Sequence, residues 1–252
     1  MQAAAQAFAS MMIVTTIAPI IAPSLGAWVL MFFEWNIIFL VLMGCGLFSL
    51  VCVHFFFQET LPPERRLKLN LQQVLSLYRT IFQDESFRRP MLVGCFSGAV
   101  MFCYISASSA ILMDHYHLTE QQFAYAFGGN AVGIMLFSTM NKHLAQYLSV
   151  LSRLKLGASL QGIGVLALLV LGYLNIESVV LVMVALFVVV ASIGFVGPNA
   201  MALAMAEQGA RAGTASAIMG SMQFVCGLLG GVLLNFMLWD ALFNMALVMA
   251  IF

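Results

Sequence analysis

The chain reads as an all-α polytopic membrane protein, a bundle of transmembrane helices, and three observations carry that reading. Of its 252 residues 63% are apolar and only 8% charged, and the mean hydropathy is +1.02. A soluble domain carries about 25% charged residues, so this chain has too little polar surface to cover a core in water. Apolar stretches of about 20 residues, the length that crosses a bilayer, follow one another along it. Every Lys and Arg falls in alternate breaks between those stretches.

The spans are expected at roughly 8–32, 36–57, 91–113, 122–140, 155–174, 178–205 and 214–238, with an eighth starting near Ala241 and reaching only half the required length at Phe252. Met1 to Gln6 lacks the basic region of a signal peptide and reads as a start inside a longer protein. In the first span Ala18, Ala22 and Gly26 recur every four residues beside Pro19 and Pro23, which gives one helix a smooth, close-packing face and a bend. After the second span comes the one long connection. It opens with Pro62 and Pro63, which stop the helix, and continues through Leu71, Val74, Leu75, Tyr78 and Phe82 at helical spacing. That segment is either an interfacial amphipathic helix or a packed linker helix. The organisation expected is therefore 1–58 as the end of one helical half, 59–89 as linker, and 90–252 as a second half of five spans and a short sixth. In the second half Gly129 and Gly133 form a G-x-x-x-G pair, and Gly197-Pro198-Asn199 is expected to break its helix and free carbonyls.

Charge decides orientation and excludes functions. Arg65, Arg66, Lys68, Arg79, Arg88, Arg89, Lys142, Arg153, Lys155 and Arg211 all lie on one side of the alternation, which the positive-inside rule makes cytoplasmic. The other breaks carry only the acids Glu34, Asp114, Glu120, Glu177 and Asp240. With ten basic and ten acidic residues the net charge is zero, so no basic field for nucleic acid exists. The five cysteines sit in apolar runs without metal or disulfide spacing. His115-x-His117 beside Asp114 has no fourth ligand, so no metal and no cofactor are expected.

No Asp or Glu falls inside an expected span, and the one Lys or Arg that does, Lys155, sits on a span boundary, so a coupling carboxylate is expected outside this part of the membrane domain. The polar and aromatic residues that do fall there are Phe102, Tyr104, Asn130, Asn199 and Gln223, and these are the candidate cavity wall. Each also has the plainer role of bonding or packing against a neighbouring helix. No nucleophile, acid/base pair or metal cluster gathers at a membrane face, so an enzyme such as an acyl or glycosyl transferase is not expected.

Ile17-Ala18-Pro19-Ile20-Ile21-Ala22-Pro23-Ser24-Leu25-Gly26-Ala27 resembles the antiporter motif on the fifth helix of the major facilitator superfamily. Trp35-Asn36-Ile37-Ile38-Phe39 is similar to the opening of the sixth helix, with Asn36 where an arginine is usual. Glu59-Thr60-Leu61, Pro198-Asn199-Ala200-Met201-Ala202 and Ala212-Gly213-Thr214-Ala215-Ser216-Ala217 resemble later landmarks of the bicyclomycin-resistance type drug-efflux branch. The resemblance implies a fragment running from the fifth helix into the twelfth, without helices one to four. It implies proton-driven export of small hydrophobic compounds across the bacterial inner membrane by alternating access, with a small-molecule substrate, a coupling proton and lipid as partners. It also implies that the face of Ala18, Ala22 and Gly26 packs near Gly129 and Gly133. A transporter of a natural metabolite is the alternative within the same architecture.

Overall fold

The computed structural model describes residues 25, 26, 28–56, 70–236 and 239–252. Among them all regular structure is helical: α1 (Asn36–Phe56), α2 (Leu71–Gln83), α3 (Glu85–Ser109), α4 (Glu120–Leu144), α5 (Val150–Tyr173), α6 (Val179–Met205), α7 (Ala212–Phe236) and α8 (Ala241–Ile251). α3 runs on through a π-helical stretch, Ala110–His115, and the 3-10 turn Gly209–Arg211 leads into α7. Six helices, α1 and α3 to α7, are long and apolar enough to cross a membrane, while α8 is apolar but shorter. The expected span at 8–32 lies almost wholly outside the described residues.

Contacts divide the chain into two compact units, Met1–Leu71 and Gln72–Phe252. In the first, α1 buries none of its side chains and is apolar all round, the composition of a helix whose solvent is lipid or other helices. In the second, α6 is the central helix and packs against α3, α4 and α5. Its Val182, Leu186, Val189 and Val190 join Tyr104, Leu168 and Met245 in the main core. A second cluster joins Ile81 of α2 to Phe87 and Met91 of α3 and Ile218 of α7. α2 therefore packs through Ile81, with Leu77 and Phe82 beside it, and leaves Leu75 and Tyr78 exposed. The linker helix thus has one flank on the bundle and one facing outward.

Helix starts follow local chemistry. Asp84 caps α3, Thr119 and Gln122 form a capping box on α4, Ser149 caps α5 and Asp240 caps α8, each giving an acceptor to an otherwise orphaned N–H. Tight reversals before α4 and α6 use left-handed backbone at His117 (φ 55°) and Asn175 (φ 49°), a conformation in which both residue types are enriched. Several helices overrun their apolar windows: α3 begins at Glu85 rather than near 91, and α5 at Val150 rather than near 155. The extra turns carry Arg88, Arg89 and Arg153, so the charges sit at helix ends.

Polar contacts join the helix ends. At one end Asp84 Oδ2 accepts from Gln208 Nε2 at 2.7 Å, joining the start of α3 to the α6–α7 connection. The Asp84 carboxyl is held below the usual value, chiefly by the Ser86 hydroxyl at 2.7 Å. At the other end His115 Nδ1 lies 3.9 Å from Asp240 Oδ1. Burial, and then the nearby carboxylates of Asp240 and Glu177, push the Tyr116 phenol up.

The expected helix break at Gly197-Pro198-Asn199 does not occur, because α6 is continuous with Pro198 inside it. Proline removes only one N–H, so the single carbonyl deprived of a donor is that of Gly194, four residues earlier. Ser138 Oγ of α4 donates to this oxygen over a long 3.5 Å, so a neighbouring helix supplies the missing donor. The approach is close because residue 194 is glycine: a Cβ there would lie 2.5 Å from Ile134 O and 2.7 Å from Ser138 N.

Candidate functional site

The cavity of greatest interest is a cleft of about 760 Å³ between α4, α6 and the turn that follows the π-helical stretch. α4 contributes Gln122, Tyr125, Ala126, Gly129 and Asn130, which recur at three- and four-residue steps and so share one helix face. α6 contributes Val180, Met183, Val184 and Phe187 at the same steps. Tyr116, His117 and Leu118 form the rim. Among the described residues no Asp, Glu, Lys or Arg lines the cleft. Its size and apolar, aromatic lining suit a drug-sized molecule, since ligand pockets of this kind run from about 300 to 1,000 Å³ with few polar groups.

Two polar side chains of the α4 wall make local bonds. Gln122 Oε1 accepts from Thr119 N at 2.9 Å, and Tyr125 Oη accepts from Gln121 Nε2 at 3.0 Å. Deeper in the wall, Asn130 is 6% exposed, and its Nδ2 donates to Tyr104 Oη at 2.8 Å. Tyr104, on α3, is itself buried and stacks on Phe127 with ring centres 5.5 Å apart and planes 18° from parallel. Two of the sequence candidates, 26 residues apart, are thus brought into one pair at the cleft.

The other candidates lie elsewhere in the second unit. Asn199 is 2% exposed, and its Nδ2 donates to Asn141 Oδ1 at 2.8 Å and to Phe195 O at 2.7 Å. Arg153 Nη1 also donates to Asn141, to Oδ1 at 2.9 Å and to O at 3.1 Å. One side-chain amide thereby ties α4, α5 and α6 together. Gln223, on α7, packs its side chain over Gly98 of α3, and Phe102 of α3 packs over Gly227 of α7, so both belong to the α3–α7 seam. Of the glycine pair, Gly133 is closed by Phe187 and Ala191 of α6. Gly129 lines the cleft, with open space where a Cβ would be. The helix-packing residues Ala18, Pro19, Ala22 and Pro23 fall outside the described residues, and Gly26 has nothing within 4 Å of its Cβ position.

Gln122, Tyr125, Met183, Phe187, Asn141 and Arg153 were not expected from the sequence as site or network residues. The first four carried a readable signal in the three- and four-residue steps shared with Asn130 on one helix and among the apolar residues of the other. Asn141 and Arg153 carried none, because their partnership depends on how three helices cross.

Fold and cleft together define a polytopic helical membrane protein with an uncharged, apolar cleft within one helical unit. The Major Facilitator Superfamily model matches residues 2–250, and the chain belongs to that family. It is 29% identical over 222 residues to an uncharacterized MFS-type transporter, YdgK, of Bacillus subtilis, covering 87% of this chain and 55% of the relative. It is 27% identical over 234 residues to a bicyclomycin resistance protein homolog of Haemophilus influenzae, covering 90% and 57%. It is 26% identical over 218 residues to the multidrug resistance protein MdtL of Citrobacter koseri, covering 85% and 52%. The chain spans about half the length of these curated relatives.

Proposed function

We propose that this chain is part of a secondary transporter that exports hydrophobic small molecules across the bacterial inner membrane, exchanging them for protons by alternating access. The observation that carries the reading is the cleft of about 760 Å³, mostly apolar and aromatic, with no charged side chain among the described residues that line it. Such a site gains affinity mainly by removing apolar surface from water, about 25 cal/mol per Å² buried, and so tolerates varied shapes. The names of the relatives, with bicyclomycin and multidrug resistance among them, support the same class.

In this reading residues 1–58 close one helical half, 59–89 link the halves and 90–252 form most of the second. The basic breaks face the cytoplasm, in keeping with the asymmetry of Lys and Arg. Tyr104 and Asn130 serve the substrate wall, Phe102 and Gln223 the adjoining α3–α7 face, and Asn199 a bracing role between helices. Substrate moves as one helical half rocks against the other around a site near the bilayer midplane.

The test is accumulation of fluorescent lipophilic compounds in an efflux-deficient bacterium expressing the protein from its complete reading frame. Accumulation is expected to fall relative to cells without the protein, and to recover when a protonophore collapses the proton gradient. Unchanged accumulation across a broad panel of such compounds would sink the export reading. Export that survives the protonophore would remove the proton coupling alone.

A further inference from the structure

From the geometry of the Asn130–Tyr104 pair we infer that the cleft selects compounds carrying a hydrogen-bond donor, an N–H or O–H, and that Asn130 Oδ1 receives it; this rests on the export reading.

Asn130 has one carbonyl acceptor and two N–H donors. Its Nδ2 is committed to Tyr104 Oη at 2.8 Å. Oδ1 accepts no hydrogen bond among the described residues and is not among the sealed, unpartnered polar atoms. Because Asn130 lines the cleft, that oxygen is reachable from it. Tyr104 is held in place, being 1% exposed and stacked on Phe127, and in the structure Nδ2 meets its hydroxyl and leaves Oδ1 for the cleft.

The lining that Asn130 shares is mostly apolar, with Ala126 one turn before it on α4 and Met183, Val184 and Phe187 on α6, while Gln122 and Tyr125 lie one to two turns earlier on α4. In such surroundings a lone acceptor discriminates strongly. A ligand donor replaces the water that the oxygen gives up, whereas a ligand presenting its own acceptor or a methyl group leaves it desolvated and unpaired. Tyr104 is here a positioning residue, acting through Asn130. The cleft's shape then sets which molecules fit, and Asn130 sets which of two equally shaped molecules is preferred.

Matched pairs of compounds test this, each an aromatic secondary amide or phenol beside its N- or O-methylated analogue, in the accumulation assay on the protein from its complete reading frame. The unmodified protein is expected to export the donor-bearing member roughly 3- to 10-fold better, the range one net hydrogen bond supplies. Asn130→Leu should bring the ratio to about one, by lowering export of the donor-bearing member more than that of the methylated one. Tyr104→Phe, which keeps the stacked ring but frees the amide, should lower the ratio as well. A general packing defect would instead depress both members alike and leave the ratio unchanged. If Asn130→Leu does not reach the membrane, the Tyr104→Phe ratio decides. Equal export of both members by the unmodified protein, or preference for the methylated one, overturns the inference and leaves the export reading standing. Export of neither overturns both.

Discussion

At the scale of single residues, Asn141 holds more together than its position in the sequence suggests. Its amide oxygen accepts from both Arg153 and Asn199, and its backbone carbonyl accepts from Arg153 again. Asn141→Leu removes the shared acceptor and leaves a half-buried guanidinium and a buried amide short of partners. The expected cost is about 2 kcal/mol, against about 1 kcal/mol for Asn199→Leu, which leaves the Arg153 bonds in place. Melting of the purified protein in detergent orders the two, and a smaller loss for Asn141→Leu than for Asn199→Leu would contradict the network. Here the sequence was only partly legible. Tyr104, Asn130 and Asn199 stood out because polar side chains in apolar runs are costly and few. Their partners did not, since Asn130 meets a residue 26 positions away and Asn199 one 58 positions away, and no local spacing encodes such meetings.

At the scale of elements, the helices were the most legible feature, because lipid demands a long apolar window and leaves charges nowhere to sit but the ends. Boundaries were less so. Asp84, Thr119 and Ser149 start their helices outside the apolar windows, where capping chemistry and not hydropathy decides. The break expected at Pro198 does not occur, and the hydroxyl of Ser138 on another helix lies beside Gly194 O, the carbonyl that proline leaves without its donor. A double-mutant cycle isolates that contact. Pro198→Ala restores the backbone donor, so Ser138→Ala should cost stability with Pro198 present and almost none with Ala at position 198. The coupling is expected at about 0.5 kcal/mol, modest because a 3.5 Å bond is weak. Additive effects of the two substitutions would mean that Ser138 does not serve this carbonyl.

At the scale of the whole molecule, orientation is the property everything else is referred to. Single cysteines in a cysteine-free background report it: Tyr147→Cys and Glu207→Cys should react with an impermeant thiol reagent only from the cytoplasmic side, and Glu120→Cys and Glu177→Cys only from the opposite side. Labelling of positions 147 and 207 from different sides would break the alternation of spans. The orientation expected from the sequence rests on charge alone, which needs no tertiary structure to read. The cleft was not legible in this way, because its walls come from helices that become neighbours only on folding, and its rim from the turn just beyond the π-helical stretch Ala110–His115. That stretch has a geometric corollary. A π turn takes in about one residue more than an α turn, so the backbone beyond it is set back by roughly 100° in azimuth relative to uninterrupted α-helix. Excising one residue from the stretch would rewind it and swing Tyr116, His117 and Leu118 around the helix axis by about that angle. Where the cleft opens is therefore governed by a winding offset within α3, upstream of the turn that forms its edge.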